Sequence, residues 1–250
     1  MFDLLAASSF GPKHLLGLLY VVVLVVVGLI VLGKEPSKRK MLILIILFYI
    51  FEILKLGFLI IRDGSFLMNH LPLHLCSIPL YIFPIIYFVK DETKIQKYAL
   101  ATGFVTVLGA ALTALLLPEN IIGNNEQWFP FTDNFLPWVS FTYHGLMILA
   151  AAWLLKSKTY IPKYKDVFRV MPFTFGLMIL AMIANALFDK DFMLLNKGTN
   201  SPLVGLLDNG QFIYTLSMIV LGLIVIGIIS AVITSLYKFI PYIIRKIKGK

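Results

Sequence analysis

Two of the chain's four histidines, His70 and His74, share the stretch HLPLHLCSIP with its single cysteine, Cys76. A thiolate attacks ester carbonyls, but it forms only beside a base or in positive surroundings. Without such partners, a cysteine in an apolar helix is a small packing residue. His74 is the nearest base in sequence but a poor one on a regular helix, because residues two apart point roughly 200° away from each other. Two sources of a base remain. Pro72 and Pro79 can distort the turn and bring His74 round. Alternatively, another helix supplies the base, with His144 in FLPWVSFTYHGL first by depth and His14 in SFGPKHLL second. His70 and His74 also form an H-x-x-x-H pair on one helical face, and with His144 as third ligand that set would suit zinc.

Other polar residues fall inside apolar runs. Glu52 and Lys55 are three apart in the second run and can meet on one face. Such ionisable groups face the interior of a bundle, where they either lock two helices or line a functional cavity. Asn185 is placed to bridge helices or to orient a histidine or a carbonyl oxygen. Trp138, Tyr143 and Trp153 fit interface or packing positions.

The elements that carry these residues follow from composition. The 250 residues are 59% hydrophobic and 14% charged, against about 25% charged for a soluble domain. Seven apolar runs of about 20 residues are each long enough to cross a bilayer: roughly 14–33, 41–61, 71–89, 98–117, 137–155, 167–187 and 212–236. Lipid offers no hydrogen bonds to an open strand, so the expected fold is all-α, a single seven-helix transmembrane domain over 1–250. The first run lacks a basic start and a small-residue cleavage site, which predicts a retained anchor rather than a signal peptide. A single cysteine excludes an internal disulfide.

The net charge of +9 is a topology signal and not a nucleic-acid footprint. Seventeen of the 22 basic residues lie in alternate connections, in KEPSKRK, KDETKIQK, KSKTYIPKYKDVFR and the C-terminal tail. The positive-inside rule puts these segments in the cytoplasm, against anionic lipid, and the N-terminus outside. An odd number of crossings requires the same arrangement. All four histidines, Cys76 and Asn185 then fall in the outer half of the membrane. Two long outer connections flank them, PENIIGNNEQWFPFTDNF and DKDFMLLNKGTNSPLVGLLDNG, the second with a half-buried, lid-like character.

SFGPKH, the second-run glutamate, LPLHLCSIP, the later His144 and DFMLLNKGTNSPL occur in an order that resembles the YwaF-type family of bacterial multi-pass proteins. That family is related to a eukaryotic cysteine-dependent transmembrane acyltransferase that remodels phospholipids. The likeness runs from about residue 10 to 210, and LPLHLCSIP is its most specific part. Where the family shows Asn-Tyr-Met-Tyr-Leu this chain has DFMLL, so Asp191 and Phe192 depart from the pattern. The resemblance implies cysteine-dependent transfer of fatty acyl chains between lipids, carried over onto Cys76 with a histidine nearby. Joined to the reading by depth, the expected reaction runs through a thioester on Cys76 with His144 or His74 as base, and it needs no cofactor because the donor is already an activated ester. His14, Asn185, Glu52, Lys55 and His70 are the expected supporting residues. The expected location is the plasma membrane, with the site facing out. A metal-dependent lipid hydrolase built on His70, His74 and His144 is the alternative enzyme. A lipid or small-solute transporter with Glu52 and Lys55 in its path is the alternative outside enzymes.

Overall fold

The computed structural model describes residues 10–64, 70–116, 135–197, 201 and 203–247, and among them the regular structure is helical throughout. In chain order the long elements are α1 (Pro12–Leu32), α2 (Lys38–Asp63), α3 (Pro79–Phe88), α4 (Lys94–Leu116), α5 (Leu136–Lys156), α6 (Asp166–Phe188) and α7 (Gln211–Ile247). Short 3₁₀ turns occur at Leu75–Ser77, Phe192–Leu194 and Val204–Asn209. The aromatic outer connection anticipated between α4 and α5 lies, but for Phe135, outside the described residues.

Six of the seven expected crossings are helices long and apolar enough to span a membrane. The third is different. A continuous helix over 71–89 is replaced by irregular chain, a 3₁₀ turn and a helix of ten residues that begins only at Pro79. At 1.5 Å per residue, α3 is about 15 Å long, half the hydrocarbon thickness. Proline dictates the break: the ring favours the first helical turn, where no backbone donor is needed, and restricts the residue before it.

Several backbone groups freed by the break find partners inside the protein. Leu73 N–H donates to the Leu71 carbonyl, Ser77 N–H to that of His74, and Ile78 N–H to that of Leu75. Tyr81 hydroxyl donates to the Pro72 carbonyl at 3.0 Å. Pro84, inside α3, removes the N–H that would serve the Leu80 carbonyl four residues earlier. Tyr49 of α2 supplies the missing donor at 2.8 Å. In hydrocarbon such groups must be satisfied internally, and here two tyrosines do it.

α4 and α5 form the centre of the bundle. In each, 72% of the apolar window is buried, against 11–33% for the other spanning helices. Small residues allow this closeness: Ala99, Ala101, Ala110 and Ala111 of α4 are buried, and Gly103 lies against Ile82 and Ile86 of α3. One apolar core draws on all seven helices, with Phe48, Phe83, Phe104, Met147 and Leu154 at its heart. The outer helices instead expose apolar side chains such as Leu19, Val26, Ile53, Ile183 and Ile228, a surface suited to lipid.

The contacts also fix relative direction. Gly17 of α1 faces Phe141 of α5, Gly28 faces Leu149, and Gly145 faces Val21 and Leu24 between them, so α1 and α5 run parallel. His14 at the start of α1 meets Leu115 at the end of α4, so those two run antiparallel. The basic connections gather at one end of the bundle, where Lys38, Lys97, Lys163 and Arg169 line a common cavity. Lys238 of α7 joins them over the Tyr164 ring at 4.1 Å.

A Cβ at Gly17 would lie 2.6 Å from the buried Phe141 ring, whereas one at Gly57 meets nothing within 4 Å. Gly17→Ala is expected to destabilise by about 1–3 kcal/mol through overpacking. Gly57→Ala is expected to be neutral, or stabilising by up to about 1 kcal/mol. Unfolding midpoints of the two variants in detergent check the contrast.

Candidate functional site

Cys76 sits in the 3₁₀ turn Leu75–Ser77, half-buried against α4, its Sγ 4.0 Å from the Ala110 carbonyl oxygen. Ala110 lies six residues before the end of α4, so the thiol is about 9 Å below that end of the helix. This is the end opposite the basic connections. The turn arises because the chain enters from His74 in an extended conformation and becomes α-helical only at Pro79.

His144 is the most telling side chain. It lies two turns into α5 and is 8% exposed. Its Nδ1 is 2.7 Å from the Ser140 carbonyl oxygen, with the Ser140 hydroxyl at 3.4 Å. A carbonyl only accepts, so Nδ1 carries the proton, and in the neutral ring Nε2 is left as an acceptor. That Nε2 is buried and has no hydrogen-bond partner among the described residues. A buried acceptor with nothing to accept is costly, and such atoms concentrate where a protein binds or reacts.

Tyr143 adds a second orphan. Its hydroxyl is buried and unpartnered among the described residues, and its ring packs edge-on against Phe48 at 5.5 Å. Tyr143 lies within electrostatic reach of Glu52 and Cys76. Packing is therefore an incomplete account of this residue, although the sequence showed only another membrane tyrosine. Beside a histidine two turns into an apolar helix, its hydroxyl was the readable signal.

Glu52 and Lys55 form the expected pair. Lys55 Nζ is 2.8 Å from Oε2 in hydrogen-bond geometry and 2.7 Å from Oε1, which it holds by charge alone. Glu52 is buried and Lys55 half-buried. Lys55 acts electrostatically on His74, Cys76 and His144, so α2 brings a cation to this end of the bundle.

The other histidines do different work. His14 is 1% exposed and has both nitrogens engaged: Nδ1 accepts from Phe10 N–H at 2.8 Å, and Nε2 donates to the Leu115 carbonyl at 2.7 Å. It ties the start of α1 to the end of α4, and neither nitrogen is left for Cys76. His74 is exposed, edge-on to Phe192 at 5.5 Å, with Nδ1 accepting from Met193 N–H at 3.4 Å. His70 is half-buried ahead of the 3₁₀ turn. Among the described residues no three His, Cys, Asp or Glu side chains are grouped to hold a metal ion. The set His70, His74 and His144 is therefore not assembled, because the H-x-x-x-H spacing falls on irregular chain and not on a helix face.

Asn185, read as a bridge between helices or an orienting group, instead grips a loop. Its amide nitrogen donates to the Phe192 carbonyl at 3.0 Å and its oxygen accepts from Phe192 N–H at 2.7 Å, all buried. From the other side, Thr215 and Gln211 of α7 donate to the Leu195 carbonyl, and Tyr214 donates to that of Leu194. Met193 and Leu194 hold left-handed conformations, with φ of 59° and 58°. Phe192 and Leu195 pack with Leu71 and Leu73, so the loop lies over the broken segment that carries Cys76. The lid-like expectation for this connection thus has a structural basis over 189–197.

An all-helical bundle with six helices fit to cross a bilayer, lipid-suited faces and a polar cluster inside one end defines a multi-pass membrane protein. The chain belongs to the TMEM164 family, whose model matches residues 9–230. Comparison with curated proteins and with solved structures gives no match.

Asn185→Ala removes both bonds to Phe192 and leaves buried backbone groups unpaired, at about 1–3 kcal/mol for each. Hydrogen exchange across residues 190–196 is expected to speed up by tenfold or more, with the centre of α5 unchanged.

Proposed function

We propose that this chain is a membrane-embedded lipid acyltransferase that works through a thioester on Cys76. The observation that carries the proposal is the unpartnered Nε2 of buried His144, its tautomer fixed by the Ser140 carbonyl. The chain's one cysteine and the Lys55 cation lie in the same end of the bundle. The resemblance to the YwaF-type family and its phospholipid-remodelling relative supports the reaction class.

A phospholipid enters sideways with its ester beside Cys76. His144 Nε2 takes the thiol proton, and the sulfur attacks the ester carbonyl. The carbon–oxygen bond of the ester breaks, and the proton passes from His144 to the departing alkoxide, which leaves as lysolipid. The hydroxyl of an acceptor lipid then gives its proton to His144 and attacks the thioester, and Cys76 regains a proton as thiol. Lys55 favours the thiolate by its charge, and Tyr143 hydroxyl donates to the oxyanion of each tetrahedral intermediate. The donor is already an ester, so atoms balance without a cofactor.

The setting of the site is part of the same reading. Irregular chain, 3₁₀ turn and α3 together extend at most about 34 Å, enough for residues 71–89 to cross as a discontinuous helix and complete seven crossings. The positive-inside rule then puts the N-terminus and the Cys76 end outside the plasma membrane, and the basic end in the cytoplasm against anionic lipid.

Purified protein in phospholipid vesicles with a labelled acyl chain tests the reaction. Cys76→Ala is expected to abolish transfer, and trapping at short times should give an acyl adduct on Cys76 by mass spectrometry. His144→Gln is expected to lower the rate 10²–10⁴-fold, the ordinary worth of a general base. His14→Gln should shift the unfolding midpoint more than the rate constant per folded molecule. Full transfer by Cys76→Ala would end the proposal, and solute flux that survives it but fails in Glu52→Gln would favour a transporter.

A further inference from the structure

The end of the bundle remote from Cys76 carries its own built feature. A cavity of about 610 Å³ opens among the basic connections, within the usual size range of small-molecule sites. Lys38, Lys97, Lys158, Lys163 and Arg169 line it, against the carboxylates of Asp91 and Glu92. Part of that charge is spent locally. Glu92 pairs with Lys97 at 2.9 Å, Arg169 with Asp166 at 2.7 Å, and Asp91 accepts from the Gln96 amide. Lys38, Lys158 and Lys163 form no ion pair among the described residues.

Trp153, 1% exposed, also lines this cavity. Its indole N–H is buried and has no acceptor among the described residues. Buried tryptophan N–H groups ordinarily find one. The wall around it also offers Met41, Ile86 and Leu100, so a ligand with an apolar portion is accommodated.

The rim is fixed in place. Asp166, wholly buried in the first turn of α6, accepts from Tyr160 hydroxyl, Lys163 N–H and Arg169. Burial and that carboxylate push the Tyr160 phenol well above its ordinary range, so it stays a donor at any physiological pH. Ser157 hydroxyl holds Trp153's carbonyl and Thr159, and Lys158 is set in a left-handed conformation with φ of 58°. Across the cavity, Gln96 clamps the turn at Asp91 and Glu92 from both sides. Three lysines without an ion pair among the described residues line the same cavity as one buried neutral donor, on a rim already ordered, and this set matches the charge and acceptor oxygens of a phosphate.

We infer that this cavity binds a phosphate group, either on an anionic lipid or on a soluble phosphorylated molecule, with Lys158, Lys163 and the Trp153 N–H as its principal donors. The site is independent of the chemistry at Cys76. Two probes separate the sources. Full-length protein in phosphatidylcholine nanodiscs is titrated with inorganic pyrophosphate by calorimetry. The same protein in detergent is titrated with dioleoyl phosphatidate and read by native mass spectrometry. At least one probe is expected to saturate at one per chain. Saturation by pyrophosphate assigns a soluble ligand, and saturation by phosphatidate alone assigns a lipid headgroup. Lys158→Ala with Lys163→Ala should weaken that binding tenfold or more. Trp153→Phe, which keeps a ring and removes the donor, should weaken it threefold or more. Lys246→Ala with Lys248→Ala removes the same charge from the tail and should change it by less than twofold. Absence of saturation by both probes, binding unchanged in either site variant, or equal losses from the two lysine pairs overturns the inference.

Discussion

The hydroxyl of Tyr49 donating to the Leu80 carbonyl is a small bond on which much of this architecture depends. Proline can interrupt a helix inside hydrocarbon only if the carbonyl it orphans is served from elsewhere. Pro84 orphans Leu80, and α2 reaches across to serve it. Tyr81 performs the same service for Pro72. With those groups satisfied, the third segment can remain irregular as far as Pro79. Its irregular part is what carries Cys76 on a tight turn against α4 and not on the side of a continuous helix.

The polar cluster extends outward from that break. α2 brings the Glu52–Lys55 pair, α5 brings Tyr143 and His144, and the loop after α6 closes over the top, held by Asn185 and by the first turn of α7. Three separate elements thus leave buried polar atoms at one end of an apolar bundle, and two of those atoms, Tyr143 Oη and His144 Nε2, lack partners among the described residues. A core selected only for packing would have apolar groups there, because an unsatisfied hydroxyl or imidazole nitrogen costs more than the methyl group it displaces. The small residues of α4 let α3 and α5 come close enough for the cluster to form.

Most of the helices were legible because hydrocarbon imposes a simple rule of length and apolarity; the boundaries of five followed from it within a few residues, and the last helix began where expected but runs on to Ile247. The third was misjudged for the same reason. Hydropathy registers that residues 71–89 are apolar but not that their prolines refuse a helix for the first half. The Glu52–Lys55 contact was legible from spacing of three, and the burial of His144 two turns into α5 from its place in the apolar run. The roles of His14 and His74 were not, since a histidine's work depends on which backbone groups lie beside it after folding. His14 finds Leu115, 101 residues away, and His74 finds Met193, 119 away. The same holds for Asn185, whose partner is the backbone of a loop, and for Trp153, whose missing acceptor is visible only once the basic connections have gathered.

The unequal burial of the helices divides the chain into two regimes of sequence freedom. On α1, α2 and α7, where most side chains meet lipid, Leu, Ile, Val and Phe are interchangeable as long as the surface stays apolar. On α4 and α5 volume is the constraint, and an added methylene has nowhere to go. Drift should therefore accumulate on the outer helices as exchanges among large aliphatics, while the inner pair holds a fixed pattern of alanine, glycine and threonine. The protein is in effect a rigid two-helix keel inside a tolerant apolar jacket, with its buried polar cluster where the keel meets the broken segment.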